Sequence, residues 1–180
     1  MLTLVCGPSG GGKSRWAEHL ASRSDRQVIY LATGPQCPGD ADWQQRLERH
    51  RRRRPPAWGL QEVGGDLAPA LLRLQPDQLG LIDSLGTWVA AWLDCEQTPW
   101  LEQCQQLQVA IRDCRAPLLL VVEEVGWGVV PHTAAGDRFR RRVAALQRQL
   151  MAEAEAAWLV VAGRALDLQR LAEPVPADEA

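Results

Sequence analysis

Residues Gly7-Pro8-Ser9-Gly10-Gly11-Gly12-Lys13-Ser14 fill the pattern G-x-x-x-x-G-K-[ST]. An apolar run, Leu2–Cys6, precedes them and a helix-like segment, Ser14–Ser22, follows. Between a strand and a helix, such a loop is a phosphate cradle. Its glycines let backbone N–H groups converge on phosphate oxygens, and the helix N-terminus adds partial positive charge. Lys13 is placed to bridge the outer phosphates of a nucleotide, and the Ser14 hydroxyl to bind a magnesium ion. Lys13 is also the only lysine in a chain whose other long cations are all arginine. The chain's composition avoids lysine everywhere except the one position where this loop requires it.

The rest of the chain extends the strand–loop–helix unit. Short apolar runs predict strands at Leu2–Cys6, Gln27–Ala32, Leu60–Val63, Leu79–Asp83, Leu118–Glu123 and Trp158–Ala162. Most are continuously apolar, as strands covered on both faces are. Helical stretches alternate with them at Ser14–Ser22, Asp42–Arg54, Ser84–Leu93, Trp100–Asp113 and about Asp137–Ala156. This order predicts an α/β, P-loop NTPase-like, doubly wound and mostly parallel sheet with helices on both faces. Leu60–Val63 is the weakest run and reads as an edge strand or an antiparallel insertion. A single catalytic domain is expected over 1–166, with a flexible tail over 167–180 that contains Glu173-Pro174-Val175-Pro176.

The net charge of −2 gives the whole chain no electrostatic case for nucleic acid. Five cysteines without a C-x-x-C pair read as buried or inert thiols of a reducing compartment. With no leader pattern and no apolar run near ~18 residues, the expected location is the cytosol.

In such sheets ligands gather beyond the carboxyl ends of the strands. There stand Ala32-Thr33-Gly34, Asp83-Ser84 and Glu123-Glu124. An acidic side chain at the end of an apolar strand is the usual partner of a P-loop, where it holds magnesium or its water. Asp83 and Glu124 both qualify, and Asp83 can also serve as the start of the next helix.

The segment Asp42–Arg54 ends in Arg49-His50-Arg51-Arg52-Arg53-Arg54, followed by Pro55-Pro56. Cations suit a helix C-terminus, so a solvated basic helix end is one reading. A nucleic-acid patch is a second, though it lacks interleaved aromatics. The third is chemical: Trp43, Leu47 and His50 share one face, which turns His50 towards the protein. A neutral imidazole ringed by arginines can attack phosphorus. His50 lies about 12 Å along the helix from Asp42, so this reading needs the helix to lie across the rim of the sheet or to move there.

These segments, in this order, resemble the bifunctional adenosylcobinamide kinase / adenosylcobinamide-phosphate guanylyltransferase family of cobalamin biosynthesis. The resemblance runs from Leu2 to about Leu166. It rests on the P-loop, Tyr30-Leu31-Ala32-Thr33, and Asp40-x-Asp42-x-x-x-Arg46-Leu47-x-x-His50 with Arg54-Pro55, Trp58 and Glu62. It continues through Leu81-Ile82-Asp83-Ser84-Leu85 with Trp88, Glu124-Val125-Gly126-Trp127-Gly128-Val129-Val130-Pro131, Arg138-Phe139 and Trp158–Gly163. The resemblance implies two reactions. One phosphorylates adenosylcobinamide from ATP or GTP. The other passes GMP from GTP, through a guanylylated histidine, to adenosylcobinamide phosphate. By position that histidine is His50, with Lys13 as its catalytic companion in the loop. The family's nucleotide contacts fall on Gly7–Ser14, Ala32, Thr33, Gly34, Arg51, Arg52, Arg53, Arg54, Glu62 and Asp83, and magnesium on Ser14 with Asp83 or Glu124. A corrinoid substrate, one antiparallel strand and a homotrimer are also implied. The chain departs from the family at Trp43, Glu123, Arg141, Ala144 and Gln147, none of them in the P-loop or at His50. The competing readings are a P-loop kinase of another small metabolite and a non-catalytic nucleotide-dependent switch.

Overall fold

The computed structural model describes residues 1–37, 39–128 and 131–176. Val129 and Val130 of the Glu124–Pro131 segment, and the end of the expected tail, lie outside them. Among the described residues seven strands form one sheet in the order β3-β2-β4-β5-β1-β6-β7. In chain order these are β1 (Leu2–Gly7), β2 (Gln27–Ala32), β3 (Gly59–Glu62), β4 (Gln78–Asp83), β5 (Leu118–Glu123), β6 (Ala156–Val161) and β7 (Arg164–Asp167). All neighbours are parallel except β6 and β7. The helices are α1 (Lys13–Ser22), α2 (Ala41–Arg53), α3 (Leu67–Leu72), α4 (Leu85–Ala91), α5 (Gln97–Asp113), α6 (Ala134–Glu153) and α7 (Leu168–Leu171).

The continuous apolar runs sit where both faces are covered. Leu4, Leu31, Ile82 and Leu120 point into one core with α3, α4, α5 and α6, and Val5, Val28, Leu81 and Val121 into a second with α1. Leu60–Val63 resolves as the edge strand β3, parallel to β2, and not as an antiparallel insertion. The antiparallel strand is β7. It and α7 form where the sequence suggested frayed chain, so the expected boundary at 166 falls inside β7. The strand is only four residues long, too short for a period to register.

Strand register decides what reaches the carboxyl rim. Ala32 pairs with Asp83 on one side and Glu62 on the other, and Gly7 pairs with Glu123. Residues paired across 30 to 116 positions of sequence therefore stand along one rim. The P-loop presses against β6 beside it: a Cβ on Gly7 would stand 2.1 Å from the Val160 carbonyl oxygen. Gly7→Ala is accordingly expected to destabilise the fold by on the order of 3 kcal/mol. A urea melt with a midpoint at the wild-type value would contradict this packing.

Candidate active site

The P-loop closes onto α1 through Gly12, whose φ of 106° at the N-cap is left-handed and open to glycine. Lys13 follows as the first helical residue, only 7% exposed, and its ammonium donates to the Pro8 carbonyl at 2.9 Å. Burial pushes its pKa below the ordinary lysine value, while the charges of Glu123 and Asp83 act against that shift.

Across the loop lies α2. It starts at an Asp40 cap, whose carboxylate accepts from the Trp43 N–H at 2.9 Å, and it buries none of its own residues. Polar contacts moor it. Arg53 donates twice to Glu18 of α1, both at 3.0 Å. Trp43 donates to the Pro35 carbonyl at 2.8 Å, and the Arg54 guanidinium sits 4.6 Å above the Tyr30 ring. This mooring holds α2 so that His50 reaches Asp83 at the end of β4 and shares a cavity with the P-loop. A cavity of about 280 Å³ separates the two walls. Ser9, Gly10, Gly12, Lys13 and Ser14 form one wall, and Arg46, Arg49, His50 and Arg53 the other.

His50 Nδ1 lies 3.3 Å from Asp83 Oδ2 and 3.3 Å from the Tyr30 hydroxyl. Tyr30 itself donates to Asp83 Oδ2 at 2.7 Å. Burial pushes the Asp83 carboxyl up, but His50, Tyr30 and the Ser14 hydroxyl together hold it below the ordinary aspartate value. Beyond His50 a second, tighter cavity of about 60 Å³ is ringed by Ala32, Gly34, Trp43, Arg51, Arg54 and Glu62. Arg51 approaches Glu62 at 3.9 Å there. Thr33, 1% exposed, sits below, bonded to the Ser84 backbone at 2.7 and 2.8 Å.

The sequence pattern of the cobinamide kinase / cobinamide phosphate guanyltransferase family matches residues 3–168. The chain belongs to this family. It is 34% identical to the bifunctional adenosylcobalamin biosynthesis protein CobU of Escherichia coli K12 over 178 residues, 91% of this chain and 97% of that protein. It is 31% identical to the bifunctional adenosylcobalamin biosynthesis protein CobP of Pseudomonas aeruginosa, over 94% of this chain and 98% of that one. Its fold is similar to a solved structure from Pyrococcus horikoshii OT3, with a TM-score of 0.55 at 7% identity, covering 93% of this chain and 85% of the other.

Lys13, Ser14, His50, Arg53 and Asp83 converge. Arg52 does not: it lines neither cavity and pairs with Glu48 at 2.9 Å on the outer face. Glu124 is engaged by Gln147 and also lines neither cavity. Glu123 accepts from the Ser84 hydroxyl and, at 2.8 Å, from the Gly86 N–H, so it caps α4.

Tyr30 and Arg46 stood out in the sequence only as motif residues, Arg49 only as one of the cation run, and Glu18 not at all. Arg46, one turn before His50, was legible from helical spacing; Glu18 carried no local signal, because its partner lies 35 positions away. Glu18→Gln is expected to lower stability by about 1 kcal/mol and to slow any chemistry that depends on His50. A melting and rate comparison checks both, and an unaltered rate would show that the Arg53 contact does not hold α2 in place.

Proposed function

We propose that this chain phosphorylates adenosylcobinamide and then guanylylates adenosylcobinamide phosphate by way of a covalent His50–GMP intermediate. The observation that carries the reading is His50 facing Lys13 and Ser14 across one cavity, with its Nδ1 turned to Asp83. A neutral imidazole held at Nδ1 offers its Nε2 lone pair to the cavity. Nε2 attacks the α-phosphorus of GTP, an N–P bond forms, and the bridging P–O bond breaks. Pyrophosphate leaves with that electron pair. Asp83 faces the positive charge that develops on the ring, while Lys13, Arg46, Arg49 and Arg53 face the phosphate oxygens. A phosphate oxygen of the corrinoid acceptor next attacks phosphorus, the N–P bond breaks, and neutral His50 is regenerated. In the kinase reaction the P-loop presents the γ-phosphate of ATP or GTP to the substrate hydroxyl, and His50 takes no part.

Ser14 and Asp83 fit a magnesium ion, because they offer hard oxygen donors within reach of each other. No group of three or more His, Cys, Asp or Glu side chains suited to a metal occurs among the described residues. A protein that supplies one or two oxygens and leaves the rest to phosphates and water suits magnesium. When bound, the ion neutralises phosphate charge. The nucleoside is assigned to the cavity of Ala32, Gly34, Arg51, Arg54 and Glu62, with Thr33 buried beneath it. At about 60 Å³ that cavity holds little more than water, so nucleotide entry requires α2 to lift. A helix with no buried residue lifts without breaking a core. The homotrimer implied by the family resemblance and a cytosolic location belong to the same proposal. Among the described residues no helix is long and apolar enough to cross a membrane.

The test is incubation with GTP labelled at the α-phosphate and Mg²⁺, followed by denaturation and peptide mapping. Acid-labile label on the peptide containing His50 is the expected result. Label on no peptide, or on one without His50, would sink the proposal.

A further inference from the structure

Tyr30 is an almost fully buried phenol, 3% exposed, at the middle of the contacts around His50. Its hydroxyl has two polar neighbours: Asp83 Oδ2 at 2.7 Å and His50 Nδ1 at 3.3 Å. The shorter contact, to a carboxylate, takes the hydroxyl proton, since charge-assisted bonds are the shorter and stronger ones. The phenol oxygen then has only lone pairs to turn towards His50. Nδ1 therefore faces two acceptors, the Tyr30 oxygen and Asp83 Oδ2, each at 3.3 Å. A nitrogen between two acceptors is favoured as N–H. The one competing donor is Arg53, 3.4 Å from Nδ1. Its two bonds of 3.0 Å to Glu18 use Nε–H and one Nη2 hydrogen; the other Nη2 hydrogen reaches towards Nδ1, but from farther off than either of the two acceptors, one of them a carboxylate.

We propose that Tyr30 is a positioning residue for guanylyl transfer: by orienting Asp83 and accepting from His50 Nδ1–H, it fixes the tautomer that leaves Nε2 as the attacking atom. This rests on the proposed role of His50 and adds the residue that selects which ring nitrogen reacts. It also explains why a tyrosine stands here. Phenylalanine would fill the same space under Arg54, but it would free Asp83 to rotate and remove one of the two acceptors at Nδ1. Arg53 would then compete for the nitrogen as a donor, and the opposite tautomer would place a proton on Nε2, where the lone pair is needed.

Tyr30→Phe keeps the ring and its stacking on Arg54, so folding is not at stake. Two measurements separate positioning from bulk structure. The first is a long-range ¹H–¹⁵N spectrum of histidine-labelled protein at about pH 8.5, where ordinary imidazoles are neutral. The chain has only three histidines, His19, His50 and His132, and His50→Ala identifies the His50 signals. Wild type is expected to show the Nδ1–H form, and Tyr30→Phe a mixture of the two tautomers. The second compares label incorporation from α-labelled GTP with kinase turnover. Labelling is expected to fall on the order of 10-fold, the scale of one hydrogen bond to a charged group, and clearly further than kinase turnover, which needs Asp83 but not the His50 tautomer. An unchanged tautomer, an unchanged labelling rate, or equal loss of both activities would each overturn the inference. Unlabelled wild type would instead overturn the role proposed for His50, and the spectra would still decide the tautomer.

Discussion

A His50→Ala protein incubated with GTP labelled at the α-phosphate is expected to retain no acid-labile label and to make no corrinoid–GDP product, while its kinase turnover persists. Removing a nucleophile leaves only binding and electrostatic terms, so the loss of guanylyl transfer should be at least about 1,000-fold. The kinase reaction should change by no more than a few fold, because its acceptor oxygen attacks the γ-phosphorus directly and the P-loop is untouched. The partition follows from geometry. His50 stands on α2, which has no buried residue, whereas Lys13 stands on the helix packed into the sheet. Deleting one imidazole from a helix without a core should leave the rest of the site assembled. A His50→Ala protein that still transfers guanylyl groups would remove α2 from the chemistry and leave it as a solvated basic helix.

Lys13→Ala should behave differently, with both reactions lost. The Lys13 ammonium is the charge that the loop itself supplies, held 2.9 Å from the Pro8 carbonyl and enclosed by the turn. Under the proposed function it lies beside the outer phosphates in either reaction, stabilising departing pyrophosphate in one and the transferring phosphoryl group in the other. Loss of one such contact is expected to slow each reaction by roughly 100- to 1,000-fold. Parallel assays with γ-labelled and α-labelled nucleotide read the two separately. Wild-type rate in either assay would show that the two activities do not share this cradle. Lys13→Ala and His50→Ala together form a pattern that neither a plain kinase nor a nucleotide switch reproduces: the first residue is needed twice, the second once.

Much of this was legible in the chain because the deciding signals are local. The glycine spacing and single lysine marked the loop between β1 and α1, and continuous apolar runs marked a buried parallel sheet. His50 was legible as facing inward, since Trp43 and Leu47 share its helical face. Other parts had no local signal. β7 is too short to show a period, and α3 carries a proline, Pro69, inside six residues. Glu18 and Arg53, 35 positions apart, meet only once α1 and α2 are seated in the fold. Arg52 and Arg53 are adjacent and chemically identical, yet one joins the site and the other pairs with Glu48 on the outer face. A charge run does not say which of its members face inward until the helix is seated.

The amino-acid sequence by itself determined that this protein carries a P-loop pattern between a strand and a helix and a histidine in a basic segment. Both are properties of short stretches whose conformation is set within one strand, turn or helix. Only the tertiary structure decided that the two belong to one site. Strand register put Asp83 beside Ala32, the Glu18–Arg53 contact moored α2 to α1, and Tyr30 and Asp83 closed on His50 from strands remote in sequence. Such convergence depends on long-range packing, and no segment of the chain encodes it alone.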